Sequence, residues 1–301
     1  MHLGNVYSAL LSWLSARSQG GQWVLRIEDL DPQRSKRAFA EQIEDDLRWL
    51  GLDWDEGGLE ALPAQRMSYV QSERGDIYLH YLNVLEQSHL TYPCYCTRAD
   101  IMATQAPHET DGRIVYAGTC KPERGAFRAE SLAMRAARKP ATRLMVPDRD
   151  ISFVDAHYGP QSVNLAHHCG DFVVRRADGA WAYQLAVVVD DALMGVTEVV
   201  RGRDLLLSAP QQIYLYQLLG FEAPTFCHLP LLCDTAGQRL CKRDKSLDLG
   251  EMRQHFTAEQ IIGRLAYYAG IIDQCQPVTA RDLISVFDWE RVPRTDVIVT
   301  D

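Results

Sequence analysis

The residues that decide the fold are Gln22-Trp23-Val24-Leu25-Arg26-Ile27-Glu28-Asp29-Leu30-Asp31. The apolar first half predicts a buried strand, and the acidic second half predicts a turn where that strand ends. The preceding residues, Asn5 to Ser18, have the apolar spacing of a helix, which Gly20-Gly21 ends. Pro32 is expected to open a second amphipathic helix, which Gly51 closes. Helix, strand and helix in this order predict a parallel α/β sheet, whose ligands lie beyond the carboxyl ends of its strands.

The remaining sequence predicts three parts. Residues 1–90 and 165–248 form a Rossmann-like, nucleotide-binding catalytic domain; residues 91–164 form an inserted, zinc-bearing α+β subdomain; residues 249–301 form a helical C-terminal subdomain. Further helices are expected over Gly75 to Ser88, Ala126 to Lys139 and Pro210 to Leu219, and further strands over Asp171 to Val174 and Ala182 to Val189.

Composition narrows the class of protein. The 301 residues are 47% hydrophobic and 24% charged, which is typical of a globular chain. The net charge of −9 argues against attraction of the whole surface to nucleic acid, although local basic patches can still bind it. No apolar run approaches the roughly 20 residues of a membrane span. Eight cysteines are too few for a disulfide scaffold. We therefore expect a cytoplasmic protein with reduced cysteines, in which clustered cysteines indicate a metal site.

The first residues, His2-Leu3-Gly4-Asn5, stand where a helix begins. The free amide groups and positive dipole end of a helix attract phosphate, and Gly4 would let a nucleotide approach the backbone closely. His2 could donate a hydrogen bond to phosphate oxygens. Four residues at a chain terminus are a weak signal by themselves.

A second basic stretch is Gly237-Gln238-Arg239-Leu240-Cys241-Lys242-Arg243-Asp244. Lys242 on a mobile loop could close over a triphosphate and offset its charge during attack at the α-phosphorus. A solvated basic turn explains the same residues when they are taken alone.

Two further positions suit recognition of an amino acid. Glu28 follows the predicted strand and could receive an ammonium group, although a turn before Pro32 also explains it. Arg201 and Arg203 follow an apolar stretch, and a buried arginine holds a carboxylate with two hydrogen bonds. Exposed arginine on the surface is the commoner case.

The metal candidates are Cys94 and Cys96, followed by Tyr116 and Cys120. Four ligands in a closed site are what structural zinc prefers, and the unusual ligand tyrosine leaves His108 as a rival. The cysteines elsewhere are scattered and are expected to be small buried apolar residues; they are Cys169, Cys227, Cys233 and Cys275.

Together these stretches resemble the glutamyl-tRNA synthetase family of class I aminoacyl-tRNA synthetases. The resemblance covers nearly the whole chain and includes, besides the turn at His2 and the loop at Lys242, Leu25 to Asp31, Gln71 to Arg74, Tyr183 to Asp191, Gly195 to Asp204 and His228 to Leu231. Within this family the chain is most similar to the glutamyl-Q group, because only about 58 residues follow Arg243 and because the cysteine–tyrosine pattern is similar to that group's zinc site.

The resemblance implies a two-step ligase reaction. Glutamate and ATP, with Mg²⁺, give glutamyl-adenylate and pyrophosphate without tRNA; the glutamyl group then passes to queuosine in the anticodon of tRNA(Asp). The implied roles are catalysis and ATP binding by His2, Gly4, Asn5 and Lys242, glutamate binding by Glu28, Tyr183 and Arg201, and structural zinc binding by Cys94, Cys96, Tyr116 and Cys120. Phosphate contacts to tRNA are expected from Arg135, Arg138, Lys139, Arg143, Arg243 or Lys245. We expect a monomer with no membrane partner.

Two departures from the family pattern leave alternatives open. A strand with an arginine and a serine that contact glutamate precedes the turn in the family, whereas His2 here follows Met1 directly. Either the start is assigned too late, the sequence is shortened, or the protein is truly truncated. In the last case, glutamate binding and the edge of the central sheet that the strand would complete are both in doubt. Cys241 replaces a serine in the loop and is expected to have a small, redox-sensitive effect. The alternatives are a short glutamyl-tRNA synthetase that charges the 3′ end of tRNA, and a non-catalytic tRNA-binding paralogue.

Overall fold

The computed structural model describes residues 1–31, 33–59, 67–103, 115–122, 138–240 and 248–299. Its α-helices are α1 (Leu3–Ser18), α2 (Arg37–Trp49), α3 (Gly75–Gln87), α4 (Arg98–Ala103), α5 (Leu165–His168), α6 (Tyr183–Leu193), α7 (Ala209–Leu219), α8 (Leu249–Met252) and α9 (Ala258–Tyr268). Its strands are β1 (Val24–Leu25), β2 (Glu56–Gly57), β3 (Thr91–Cys94), β4 (Ala141–Leu144), β5 (Asp150–Asp155), β6 (Gly159–Asn164), β7 (Phe172–Arg175), β8 (Glu198–Gly202), β9 (Thr225–Leu229), β10 (Leu232–Cys233) and β11 (Val297–Ile298).

Parallel strand pairs carry the predicted catalytic part. β1 pairs with β2, β8 with β9, and β10 with β11, all in parallel. The segment around β3 is antiparallel instead: β3, β4 and β7 form a three-stranded sheet, and β5 and β6 form a hairpin. The parallel pairs β1–β2 and β8–β9 agree with the predicted α/β class of the catalytic part, although β7, at residues 172–175 of that part, joins the antiparallel sheet.

The N-terminal helix α1 explains why the two ends of the chain pack together. Its apolar residues are buried on more than one side, among them Leu3, Leu10 and Leu14. They share one apolar core with Leu249 and Leu265 from the C-terminal segment. Since burial of a leucine side chain contributes about 1.5–3 kcal/mol, this core fixes the beginning of α1 against residues that follow it by more than 200 positions.

A second core lies under the parallel strands. It joins α3, α6 and α7 with β4 and the hairpin of β5 and β6 through buried side chains such as Tyr78, Val188 and Leu215. A third, smaller cluster surrounds Cys94 and Tyr116. Among the described residues, no helix combines the length and the apolar character that a membrane crossing requires.

The prediction of a strand over Ala182 to Val189 was wrong. These residues belong to helix α6, in which the side chains from Leu185 to Asp191 are all buried. A helix that is buried on nearly every side loses the period of 3.6 residues by which helices are found, and Val187-Val188-Val189 has the β-branched composition of a strand. Tertiary packing therefore overrides the local preference of these residues.

Smaller differences concern the ends of elements. The strand expected over Trp23 to Ile27 is regular only at Val24–Leu25, and Ile27 continues as an isolated bridge to Val70. Helix α2 begins at Arg37 and not at Pro32, which lies outside the described residues, as does most of the helix expected over Ala126 to Lys139. The segment after Leu249 is helical only in part, because it ends in β11, which returns to β10.

Candidate active site and metal centre

The start of α1 opens onto a cavity of about 220 Å³. The residues that line it come from α1, β8 and the stretch after β9, and include His2, Gly4, Asn5, Arg201 and Arg239. No acidic side chain occupies the first turn of α1, so the positive end of the helix dipole is not offset there. A Cβ added to Gly4 would lie 3.2 Å from Cε1 of His2. Glycine therefore allows the imidazole to lie over the first turn.

Both described ends of the segment that contains Lys242 reach this cavity. Lys242 itself, with the rest of residues 241–247, lies outside the described residues. Leu240, just before the segment, lines the cavity and donates its amide to the Leu232 carbonyl at 3.0 Å. Asp248, just after the segment, forms an antiparallel bridge with His2. The opening turn therefore lies beside Leu240 and Asp248, the described residues that flank the segment.

Arg201 lies in the wall of the same cavity, half-buried on β8. Its Nε donates to Nε2 of His228 at 3.1 Å, and its NH1 lies 3.5 Å from the hydroxyl of Tyr183. Among the described residues, none offers it a carboxylate within ion-pair distance. Its cation lies 5.1 Å from the ring centroid of Phe226. A half-buried guanidinium with a neutral partner retains the charge that would attract an anionic ligand.

Tyr183 contacts Arg201 and lies within the electrostatic influence of Glu28. Burial raises the pKa of Tyr183; the nearby Arg201 cation opposes that rise and the Glu28 carboxylate adds to it. Glu28 itself is 41% exposed and forms an ion pair of 2.9 Å with Arg26. The three residues expected to bind an amino acid are therefore brought together.

A larger groove of about 590 Å³ runs between β1 and β8, and Glu28 lies in its wall. Val24 and Arg26 line one side, while Glu198 and Val200 line the other. In the part of the chain that the structure describes, β1 pairs only with β2 and β8 only with β9, so the second edge of each strand has no strand beside it.

Three cysteines and one tyrosine meet at the end of β3. The Sγ atoms of Cys94, Cys96 and Cys120 lie within 4.8 Å of one another, and the Tyr116 hydroxyl lies 3.4 Å from Sγ of Cys94. Burial raises the pKa of Cys96 to about 12, and the neighbouring Cys94 adds to the effect. Such a group could hold one metal ion. The rival ligand His108 lies outside the described residues.

The tyrosine in this group has a cationic neighbour. The guanidinium of Arg143 lies 3.7 Å from the ring centroid of Tyr116, and Arg143 is 7% exposed. Its NH1 also donates to the Asp171 carbonyl at 2.5 Å. The expected contact of Arg143 with tRNA phosphate was therefore wrong, because this cation is buried beside the thiols. Arg138 remains partly exposed and pairs with Asp100.

Comparison with known proteins identifies the family. Residues 1–272 match the catalytic domain of class I tRNA synthetases for E and Q. A glutamyl-Q tRNA(Asp) synthetase of Symbiobacterium thermophilum is 49% identical over 99% of this chain and 91% of its own length, and one of Nitratidesulfovibrio vulgaris is 44% identical over the same shares. The chain belongs to the glutamyl-Q tRNA(Asp) synthetase family.

Solved structures agree with this glutamyl-Q synthetase fold. A glutamate tRNA ligase of Elizabethkingia meningosepticum, in complex with its amino acid, superposes over the whole chain with a TM-score of 0.81 at 28% identity. A glutamate-tRNA synthetase of Elizabethkingia anophelis gives 0.82 at the same identity. The chain spans 64% and 66% of the lengths of those two proteins.

Four residues around the candidate site were not predicted as functional. Arg26 pairs with Asp191 at 2.5 Å and with Glu28, so it orders the acidic side of the groove. His228 pairs with Asp155 at 2.6 Å behind Arg201. Arg26 and His228 lie inside stretches that carry the family resemblance, and this position in the sequence could have identified them. Asp155 lies in the inserted hairpin, and nothing in the sequence points to its partner.

Proposed function

We propose that this chain is a monomeric, cytoplasmic ligase that activates glutamate with ATP without tRNA and then transfers the glutamyl group to the queuosine base of tRNA(Asp). Family membership supports the reaction class, and tRNA(Asp) is proposed as the acceptor because the relatives are glutamyl-Q tRNA(Asp) synthetases. The observation that carries the proposal is the cavity at the start of α1, which is shared by His2, Arg201 and the residue before the Lys242 segment.

In the first step, ATP would lie against the opening turn of α1. His2, Gly4 and Asn5 border the nucleotide, and the helix amides favour its phosphates. Lys242 would close over the phosphates together with Mg²⁺, which offsets charge on the triphosphate. A glutamate carboxylate oxygen attacks the α-phosphorus, the bond to the bridging oxygen breaks, and pyrophosphate leaves with that electron pair.

Glutamate would be held by charge at both ends. Arg201 takes a carboxylate, which supplies the anion that this half-buried guanidinium otherwise lacks. Glu28 receives the ammonium group, and Tyr183 lies between the two. A ligand without one of these charges would leave a charged group of the site unmatched, so discrimination should be strong.

The cysteine group would hold one structural Zn²⁺. Three thiolates and the Tyr116 oxygen would make a closed set of four donors. Burial and the hydrogen bond with Cys94 raise the pKa of Tyr116, so the metal would have to displace its proton. The metal supplies a fixed cross-link at the end of β3 and no chemistry in the reaction. Contacts with the tRNA phosphates would come from Arg138 and Lys139, or from residues 241–247.

The experiment that tests this proposal has two parts. Pyrophosphate exchange into ATP is measured with glutamate, without tRNA, and with aspartate and glutamine as controls. Labelled glutamate is then offered with queuosine-containing and queuosine-free tRNA(Asp), and nuclease fragments show where the label lies. Exchange that depends on glutamate, with label in the anticodon fragment, is expected. Label at the 3′ end would favour a short glutamyl-tRNA synthetase, and tRNA binding without exchange would favour a non-catalytic paralogue.

A further inference from the structure

A buried, hydrogen-bonded histidine and aspartate lie behind Arg201 and have no part in the proposed reaction. His228 on β9 and Asp155 at the end of β5 are both without solvent contact, and Nδ1 of His228 lies 2.6 Å from Oδ2 of Asp155. The other ring nitrogen, Nε2, lies 3.1 Å from Nε of Arg201. The three side chains therefore form one line from the inserted hairpin to the cavity.

The hydrogen bonds of this line fix the protonation state of the imidazole. A carboxylate only accepts, so Nδ1 of His228 must carry the proton. The Nε of arginine only donates, so Nε2 of His228 must be unprotonated. His228 is thus a neutral imidazole, in agreement with a pKa lowered mainly by burial.

Asp155 is itself held rigidly. Its Oδ1 accepts the backbone amides of His157 at 3.1 Å and Tyr158 at 2.8 Å, and the carboxylate also accepts the amide of His228 at 3.2 Å. The adjacent Ala156 amide donates to the Phe226 carbonyl at 2.8 Å. The tip of the hairpin is therefore locked against β9, so the imidazole and the guanidinium beyond it have little freedom to move.

We propose that Asp155 and His228 are positioning residues that fix the Arg201 guanidinium, and with it the carboxylate subsite for glutamate. This inference rests on the proposed function of Arg201. The imidazole accepts from Nε, while NH1 and NH2 make only long contacts, 3.5 Å to the Tyr183 hydroxyl and 3.4 Å to the Leu205 carbonyl. A carboxylate that meets the two terminal nitrogens as a fork could replace these weak contacts. Without the imidazole acceptor, the guanidinium would be free to adopt other side-chain conformations. Glutamate would then bind less tightly, and this loss of affinity should exceed any loss in the rate of adenylate formation.

Two isosteric variants of His228 separate its two hydrogen bonds. An Asn side chain places a donor near the Nδ1 position, so His228→Asn keeps the contact with Asp155 and loses the acceptor for Arg201. A Gln side chain reaches the Nε2 position, so His228→Gln restores that acceptor. We expect the KM for glutamate to rise about tenfold in His228→Asn and less than threefold in His228→Gln, with the KM for ATP unchanged in both. Asp155→Asn should also raise the KM for glutamate, because a proton moved to Nε2 would face the Arg201 donor.

The control is His157→Asn. His157 is a buried histidine of the same hairpin whose ring bonds the Pro293 carbonyl at 3.1 Å, and its loss should lower thermal stability without changing the KM for glutamate. Equal glutamate KM values in His228→Asn and the wild type would overturn the inference. The ¹⁵N chemical shifts of the His228 ring test the inference without an activity assay. We expect a ring that is protonated at Nδ1 alone, and any other protonation state would overturn the inference. Absence of exchange in the wild type would instead reject the proposed function.

Discussion

His2 and Asp248 form an antiparallel bridge, which joins the first turn of the chain to the residue that follows the Lys242 segment. The Leu249 amide, donating to the Met1 carbonyl at 2.7 Å, extends the same contact. The two contacts hold Asp248, the first described residue after the segment, beside the start of α1. The shared core of α1 and α9 keeps them in place.

Gly4→Ala should weaken ATP binding without unfolding the protein. The new methyl group would lie 3.2 Å from the His2 ring and displace it toward the space that the nucleotide requires. We expect kcat/KM for ATP in the exchange assay to fall about tenfold, equivalent to about 1.4 kcal/mol. Gly75→Ala is the matched control, because that glycine begins α3 and the added methyl group would meet its nearest atom at 3.5 Å. Unchanged ATP kinetics in Gly4→Ala would argue against a nucleotide at this turn.

Arg201→Lys should lower kcat/KM for glutamate by about 100-fold. Lysine keeps the charge but loses the planar fork and the bond to His228, and a hydrogen bond to a charged group contributes about 1.5–3 kcal/mol. Steady-state exchange at varied glutamate concentration measures the effect. Arg203→Lys is the control: Arg203 is 45% exposed and pairs with Asp296, so its replacement should change the same constant less than twofold. Equal losses in the two variants would show that Arg201 has no special role.

The purified protein should contain one zinc ion per chain, bound in a manner that depends on pH. Burial and the neighbouring Cys94 raise the pKa of the Cys96 thiol to about 12 in the metal-free site, so binding must displace protons. Protons compete with the metal, and affinity should therefore fall as pH falls. Metal analysis after dialysis at pH 8 and pH 5.5 measures this. Cys96→Ser should lose most of the metal, whereas Cys275→Ser, an exposed cysteine, should retain it. A metal content near zero in the wild type at pH 8 would remove the site.

How much of this protein the sequence predicts depends on how local each feature is. Helix α3 has bounds close to the predicted ones because one of its faces is apolar and Gly75 marks its start. Helix α7 is buried on most sides, but Pro210 and Gly220 mark its two ends. Helix α6 was missed because burial on all sides removes its period. Spacing indicated the cysteine–tyrosine group, since its members lie within about 30 positions, but it left His108 as a rival, and the family resemblance supplied Tyr116 as the fourth member. The contact of Asp155 with His228 joins two distant segments, and no local pattern encodes it.

Asp190→Asn should destabilise the whole fold, because Asp190 is the buried anchor of the stretch Gln71 to Arg74. Its carboxylate accepts from Nε of Arg74 at 2.6 Å, from Gln71 at 2.8 Å and from the Tyr78 hydroxyl at 2.8 Å, and it has no solvent contact. Neutralising Asp190 leaves the buried Arg74 cation without its anion, which costs about 3–5 kcal/mol. Urea unfolding measures the loss.

Tyr78→Phe is the matched control for Asp190→Asn, since it removes one neutral donor to the same carboxylate and leaves the ion pair intact. A loss of about 1 kcal/mol is expected from that variant. If the two variants were equally stable, the charge of Asp190 would contribute nothing beyond its hydrogen bonds. The ion pair with Arg74 would then serve to specify the position of α6 against α3 and not to stabilise the fold.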